Sequence, residues 1–340
     1  MEVYQDITAF RAALDHVRAA RARRADRRAG AGASPSVGLV PTMGALHDGH
    51  VSLLARARDE CPHVAATIFV NPLQFGDPLD LHSYPRTLAS DLEQCEAAGV
   101  ASVFAPSIET MYPDWPEPPA TTVSVGRLGD DWEGKSRPGH FDGVATVVAK
   151  LFAIAGPCRA YFGEKDFQQL SIVRRMVTDL SLPVEVVGCP TVRDSDGLAL
   201  SSRNVRLTHE QRAAAVVLPR ALDAGAALIA AGEERPARVG SAMAAVIDTE
   251  PLAVLDYAAL VDSVTLEVPE RIALPTRRRD PARSGSGSYR LLVAARFGEV
   301  RLIDNAAVAR GTEPTTGLAP LIDGSVSSES AWLAGAPSGR

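Results

Sequence analysis

The sequence predicts an α/β protein in which helices cover a parallel β-sheet, followed by a smaller α+β domain. Two observations carry the first half. Short apolar runs bounded by turn residues alternate with segments of helical spacing. The runs at residues 37–40 and 63–71 enclose one such helix, the length of a βαβ unit with a right-handed crossover. The third observation is a change of order beyond residue 208, where helices come first and strands follow. A chain of 340 residues has room for two domains. The shift in pattern divides it into residues 1–191 and 192–309, and the Gly/Ser/Pro-rich residues 310–340 are expected to be poorly ordered.

Taken in order, residues 6–20 have helical spacing and run into an Arg/Ala/Gly/Ser stretch ending at residue 36, read as a solvated helix end and a linker. The buried-strand signal at 37–40 leads into PTMGALHDGH, residues 41–50, and then the helical VSLLARARDE. A second strand, HVAATIFVN, ends at NPLQFG. A loop and helix at 83–99 precede the strand VASVFAP. Residues 107–140 are rich in turn formers, and a loop of that length in a compact domain forms a lid or a binding wall. The helix VATVVAKLFAIA then leads to the aromatic strand and turn of AYFGEKDFQQL, a helix to residue 180, and the strand PVEVVGCPTV. Beyond it, residues 210–232 read as one alanine-rich helix and 237–248 as another. Residues 254–268 read as a strand pair, 275–288 as a surface loop without apolar content, and 289–308 as strand ending at a sheet edge.

Composition narrows the partners. A net charge of -6 gives no reason to expect nucleic acid or an anionic membrane. Cys61, Cys95, Cys158 and Cys189 are scattered without a C-x-x-C, which argues against a disulfide framework or zinc site and for a reducing cytoplasm. The N-terminus lacks the apolar core of a signal peptide, and no uncharged apolar run approaches the roughly 18 residues of a membrane helix. A cytoplasmic, soluble protein is therefore expected.

Three stretches carry chemistry. In residues 41–50 a strand turns tightly into a helix. Gly44 and Gly49 allow close approach of the backbone, while His47 and His50, three apart, share a face of the first helical turn, where the helix dipole favours phosphate. Glu164, Lys165 and Asp166 follow another strand, and Lys165 is one of only three lysines, with Lys135 and Lys150. Lys165 is suited to phosphate, an acidic neighbour to ribose hydroxyls, and Gln168 or Gln169 to reaching inward from the helix. Ser201, Ser202 and Arg203 then offer two hydroxyls and a guanidinium in one loop, suited to the charge that develops on a leaving pyrophosphate. Gln74 and Phe75 lie beyond the carboxyl end of the second strand, where open α/β sheets bind ligands. Tyr84, Arg86 and Asp91 are further candidates, and Arg137 and His140 flank a Pro-Gly turn that can act as a gate.

The H-x-G-H pairing at residues 47–50 resembles the signature of the nucleotidylyltransferase superfamily. With FVNPLQFG, YPRTLASDL, SRPGHFDGV, YFGEKDFQQL, LALSSRN and RLIDN in this order, residues 37–308 resemble the pantothenate synthetase (pantoate–β-alanine ligase) family. The resemblance implies a Rossmann-like N-terminal domain, a smaller C-terminal lid domain and a homodimer. It implies ATP and Mg2+, with pantoate and β-alanine as substrates: pantoate attacks the α-phosphorus of ATP, pyrophosphate leaves, and β-alanine displaces AMP from the resulting pantoyl adenylate.

The resemblance also assigns roles. Met43, Gly44, Ala45, Leu46, His47, Asp48, Gly49 and His50 would hold ATP, with His50 as proton donor and His47 on the phosphates. Gly163, Glu164, Lys165, Asp166, Leu200, Ser201, Ser202 and Arg203 would complete the nucleotide site, with Val192 near the adenine. His47, His50, Lys165, Ser201, Ser202 and Arg203 would be the catalytic set. Gln74 and Gln169 would bind pantoate, Gln74 also facing β-alanine, and Arg137 would belong to the gating loop. Family members often carry an acidic residue at the position of Ser90, so Asp91 alone remains as a candidate metal ligand. An adenylyltransferase acting on a mononucleotide is the alternative; it would share the histidines and the Ser/Arg loop but not need Gln74 and Gln169 together.

Overall fold

The computed structural model describes residues 1–25, 36–76, 78–273 and 289–308. The expectations for the linker at 26–35, the loop at 275–288 and the tail from 310 lie outside the described residues.

The first domain opens with β1 (Glu2–Tyr4), α1 (Ile7–Ala25), β2 (Val37–Thr42), α2 (Asp48–Glu60) and β3 (His63–Ile68). It continues through α3 (Pro78–Ser83), α4 (Leu88–Ala97), β4 (Ser102–Phe104), and the short α5 (Ile108–Met111) and α6 (Glu133–Ser136). It closes with α7 (His140–Ala155), β5 (Cys158–Gly163), α8 (Phe167–Asp179) and β6 (Val184–Cys189). All six strands pair in parallel in the order β1-β4-β3-β2-β5-β6. The chain builds outward from β2 on one side, then returns to place β5 and β6 on the other. The crevice between the carboxyl ends of β2 and β5 is therefore the topological switch point, where open parallel sheets bind ligands.

Period-2 alternation divides the apolar residues between the two faces. Val64, Ala66 and Ile68 of β3 pack with Leu53, Leu54 and Ala57 of α2. Ala65 joins Phe10 and Leu14 of α1, Val144 and Val148 of α7 and Leu170 of α8 on the opposite face. With both faces covered, β2 has no polar side to show, which is why it reads as an unbroken apolar run. Helix α7 is buried on nearly all sides and runs between Gly139 (φ 77°) and Gly156 (φ 69°). The strand β1 was not expected; with three residues paired only to β4, it is too short for a sequence pattern.

The second unit contains α9 (His209–Ala214), α10 (Val217–Ala230), α11 (Pro236–Ile247), β7 (Val254–Asp262), β8 (Tyr289–Phe297) and β9 (Val300–Val308). Its strands form an antiparallel sheet in the order β7-β8-β9. Leu291, Val293, Ala295 and Phe297 pack on α10 and α11. Leu292, Ala259 and Val261 lie on the other face, against Phe167 and Trp132 of the first domain. The expected strand pair at 254–268 is a single strand: Asp262 Oδ1 accepts from the amides of Val264 (2.8 Å) and Thr265 (3.0 Å) and turns the chain. The expected single helix at 210–232 is two, α9 and α10. The run His209–Ala230 has the length and mean hydropathy of a membrane span, but 56% of its window is buried inside the domain, as in a core helix.

Candidate active site

The turn after β2 is shaped by its own histidines. His47 caps α2: its Nδ1 accepts from Gly49 N at 3.1 Å, and the Nδ1 of His50 accepts from His47 N at 3.3 Å. A Cβ at Gly49 would lie 2.8 Å from His47 Cε1, so only glycine lets the ring fold back. The rings are 4.2 Å apart. Because each Nδ1 faces an N–H, the remaining ring proton belongs on Nε2, which gives each histidine one N–H donor. Burial lowers the pKa of His47, and burial together with His47 lowers that of His50 to about 3. His50 is thus a neutral imidazole that donates an N–H; the expected proton donor is not a standing imidazolium.

Beneath this turn Asp91 accepts from Ala45 N (3.1 Å), Leu46 N (2.8 Å) and the Thr87 hydroxyl. It is 1% exposed and lines neither cavity of the site. The position corrects the metal-ligand expectation: both carboxylate oxygens are taken by protein donors, and their task is to hold the motif's backbone. Gly44, at φ 80°, fits because it has no Cβ; one there would sit 2.9 Å from Asp91 Oδ2. Gly44, Ala45, Leu46 and Asp48 do not face the cavity, whereas Met43, His47, Gly49 and His50 do.

After β3, Asn71 organises the next turn. Its amide donates to Gln74 Oε1 (3.1 Å) and Gly143 O (3.0 Å), and its Oδ1 accepts from Tyr112 OH (2.9 Å). The Gln74 amide nitrogen is thereby aimed toward Met43 Sδ, 2.9 Å away. Sequence reasoning missed Asn71, since Asn before Pro reads as an ordinary turn cap; it is also that, accepting from Leu73 N. His140 Nδ1 donates to Gln74 O at 2.8 Å, and its Nε2 accepts from Arg137 at 3.2 Å. One partner only accepts and the other only donates, so they set the tautomer. Burial, then Arg137, lowers the His140 pKa to about 4. Arg86 donates to the carbonyls of Leu81, His82 and Tyr84 and so ties its own loop instead of meeting the cavity.

The turn after β5 and the loop after β6 close the ring. Gly163, Lys165, Asp166 and Gln169 join Val192, Leu200, Ser201, Ser202 and Arg203 around a cavity of about 220 Å³ that Met43, His47, His50 and Gln74 also line. One face of α7 (Val144, Val147, Val148, Leu151) supplies its apolar wall. A larger cavity of about 830 Å³ shares Lys165, Asp166, Gln169, Ser201 and Arg203 and extends between the domains past Arg137 and His140. Confinement works against ionisation of Asp166, but Lys165 and Arg203 overcome it and hold its pKa below the usual value. Two expectations separate here. Gln168 lines only the larger cavity and spends its amide on the carbonyls of Leu128 and Asp131 (both 2.9 Å), which leaves Gln169 as the amide on the smaller one. Glu164 lines neither cavity and pairs with Arg290 at 2.9 Å.

A parallel sheet with N–H donors, a lysine and an arginine gathered at its switch point, together with an apolar wall and two amides, defines an α/β protein with a site suited to an anionic ligand. The family model for pantoate-beta-alanine ligase matches residues 8–307. The chain belongs to that family of ligases, which form the amide bond between pantoate and β-alanine. It is 52% identical to the pantothenate synthetase of Sinorhizobium medicae over 278 residues, 82% of this chain and 90% of the relative. With that of Salinispora arenicola it shares 50% over 295 residues, 87% and 97% of the two chains. The solved pantothenate synthetase of Thermus thermophilus superposes with a TM-score of 0.77 at 46% identity, covering 91% of this chain and 100% of that one. A ligase from Francisella tularensis, solved with a beta-gamma ATP and β-alanine, gives 0.64 at 30% identity, covering 93% and 100%.

Proposed function

We propose that this chain carries out its family's ligation in two steps, through a pantoyl adenylate formed at the expense of ATP. The observation that carries the reading is that one cavity gathers two chemistries. His47, His50, Lys165, Ser201, Ser202 and Arg203 offer it N–H, hydroxyl and cationic groups, and Gln74, Gln169 and the apolar face of α7 line the same space. A carboxylate oxygen of pantoate attacks the α-phosphorus and pyrophosphate departs with the bond's electrons. The amine of β-alanine then attacks the acyl carbon, AMP leaves and the amine loses a proton. Neither step needs a protein nucleophile; both need alignment and donors for developing charge.

The residues divide that work. Neutral His47 and His50 donate from Nε2 to phosphate oxygens, and Lys165 and Arg203 neutralise charge that grows on the leaving group. The amides of Gln74 and Gln169 hold the hydroxy acid, while Val144, Val147 and Val148 take its apolar part. A phosphorylated mononucleotide would set its charge against that wall, which weighs against the adenylyltransferase alternative. Mg2+ fits as an ion that arrives on the phosphates and offsets their charge. Asp166 is the carboxylate opening on the smaller cavity, and Mg2+ bound through substrate phosphates asks for one or two carboxylates. Among the described residues no cluster of three or more His, Cys, Asp or Glu forms a cage for a metal. A cytoplasmic homodimer is part of the same proposal, supported by four buried free cysteines and by the family resemblance.

The test supplies ATP and pantoate first, then β-alanine. Pyrophosphate release on pantoate alone, with AMP released on adding β-alanine, is the expected result. No pyrophosphate until β-alanine is present would sink the two-step order.

A further inference from the structure

We propose that Asn305, on β9 of the second domain, is a positioning residue for Lys165, and that β9 thereby fixes the phosphate end of the site from outside it. Asn305 is 4% exposed. Its amide nitrogen donates to two consecutive main-chain carbonyls, Glu164 O at 3.0 Å and Lys165 O at 2.7 Å. Its Oδ1 accepts from Arg290 Nε at 2.7 Å. Carbonyls only accept and a guanidinium only donates, so the partners themselves determine which way the amide points. Arg290 continues to the Glu164 carboxylate at 2.9 Å and lies 4.2 Å from the Phe167 ring centre. Residues 164, 165 and 167 are thus held by two side chains from another sheet, while the Lys165 side chain is left to line both cavities.

The neighbouring residue holds the other phosphate loop. Asp304 accepts from Arg193 Nη1 at 2.6 Å and Nη2 at 2.9 Å, and Arg193 Nη1 also donates to Gly197 O at 2.9 Å. Arg193 bridges to Ala199, and Leu200 N donates to Val192 O, so this grip reaches the strand end from which Ser201, Ser202 and Arg203 project. Two adjacent residues of β9 therefore tie down both loops. Only an amide of this length serves at 305. Aspartate would set a carboxylate against two carbonyls, and alanine would take the side-chain donor from both carbonyls and the acceptor from buried Arg290 Nε. Interdomain cement alone would not require both bonds to fall on the lysine's own peptide groups.

This inference rests on assigning Lys165 to the nucleotide, and the test separates the two. Pantothenate formation by the full chain is measured for Asn305→Ala, Lys165→Ala and the double variant, varying ATP and β-alanine in turn. Asn305→Ala is expected to lower kcat/KM for ATP at least about tenfold and to leave KM for β-alanine within about twofold. In the Lys165→Ala background the same change is expected to cost less than about twofold, since the group it positions is already gone. Should Asn305→Ala fail to fold, Asn305→Ser, which keeps one donor, enters the same cycle with the same expectation of non-additivity. Equal losses in both backgrounds would overturn the positioning role and leave Lys165 where it stands. Wild-type rates in Lys165→Ala would overturn the phosphate assignment and the positioning role together.

Discussion

The turns after β2 and β5 meet the smaller cavity with their side chains, whereas no residue of β7, β8 or β9 lines it. The antiparallel sheet lines only the larger cavity and grips, through side chains and main chain, segments that adjoin the smaller one. Arg290 and Asn305 grip residues 164 and 165, Asp304 grips Arg193, and Arg301 grips Glu133, whose carbonyl accepts from Arg137 N. Residues that meet a ligand need fixed types at fixed spacing on one loop. A residue that meets a distant carbonyl needs only the right place in three dimensions. The first kind forms motifs, and the second leaves a strand that reads as any other.

Four experiments bear on that contrast. The largest effect belongs to the antiparallel sheet. Glu133 is 8% exposed and accepts from Arg301 at 2.7 and 2.6 Å and from Tyr257 OH at 2.8 Å. Arg301→Ala leaves that carboxylate buried without its cation and is expected to lower unfolding free energy by about 3–5 kcal/mol in urea titration. A loss under about 1 kcal/mol would mean that this grip is ornamental to stability.

Next, Asp91→Ala strips the acceptor from Ala45 N and Leu46 N. About 1–3 kcal/mol of stability should go with the orphaned amides. If stability held while the Mg2+ requirement rose, Asp91 would be a metal ligand after all. In the cavity itself, His50→Ala and Lys165→Ala are each expected to slow adenylate formation at least tenfold, on the order of 1.4 kcal/mol, with unfolding midpoints little changed. Losses of stability larger than losses of rate would erase the distinction between the two regions.

The last effect is a pH dependence. His50 and His140 have folded pKa values of about 3 and about 4, below the ordinary value of 6.5 that applies to the unfolded chain. Above pH 6.5 both states hold the rings neutral. As pH falls below it, the unfolded chain takes up protons that the folded one refuses, so stability declines toward pH 4 and, for His50, on toward pH 3. Urea midpoints between pH 7.5 and 4.5 read this directly, and His140→Gln should flatten the slope.

Much of the parallel sheet was legible because its central strands are buried on both faces, leaving apolar runs with turn residues at their ends. The residues that meet around the smaller cavity could be picked out through types and spacing: His47 with His50, and Ser201 and Ser202 with Arg203. Asp91 was misread because a carboxylate near a motif looks the same in sequence whether it faces a metal or two backbone amides. Glu164 was misread likewise, since its partner Arg290 lies 126 positions away. The break between α9 and α10 lay hidden in an alanine-rich stretch that favours helix throughout.

By itself the sequence determined the elements, the switch-point crevice and the chemical groups available there, because local periodicity and turn chemistry act over a few residues. Tertiary structure alone decided which way each group points and what state it is in. The histidines are neutral because of what buries them, Gln169 was chosen over Gln168 by the loop the latter holds, and Lys165 is fixed by an amide 140 residues further along. Distances between side chains remote in sequence come into being only when the sheets pack, and those distances set the hydrogen bonds, the desolvation and hence the protonation of the site.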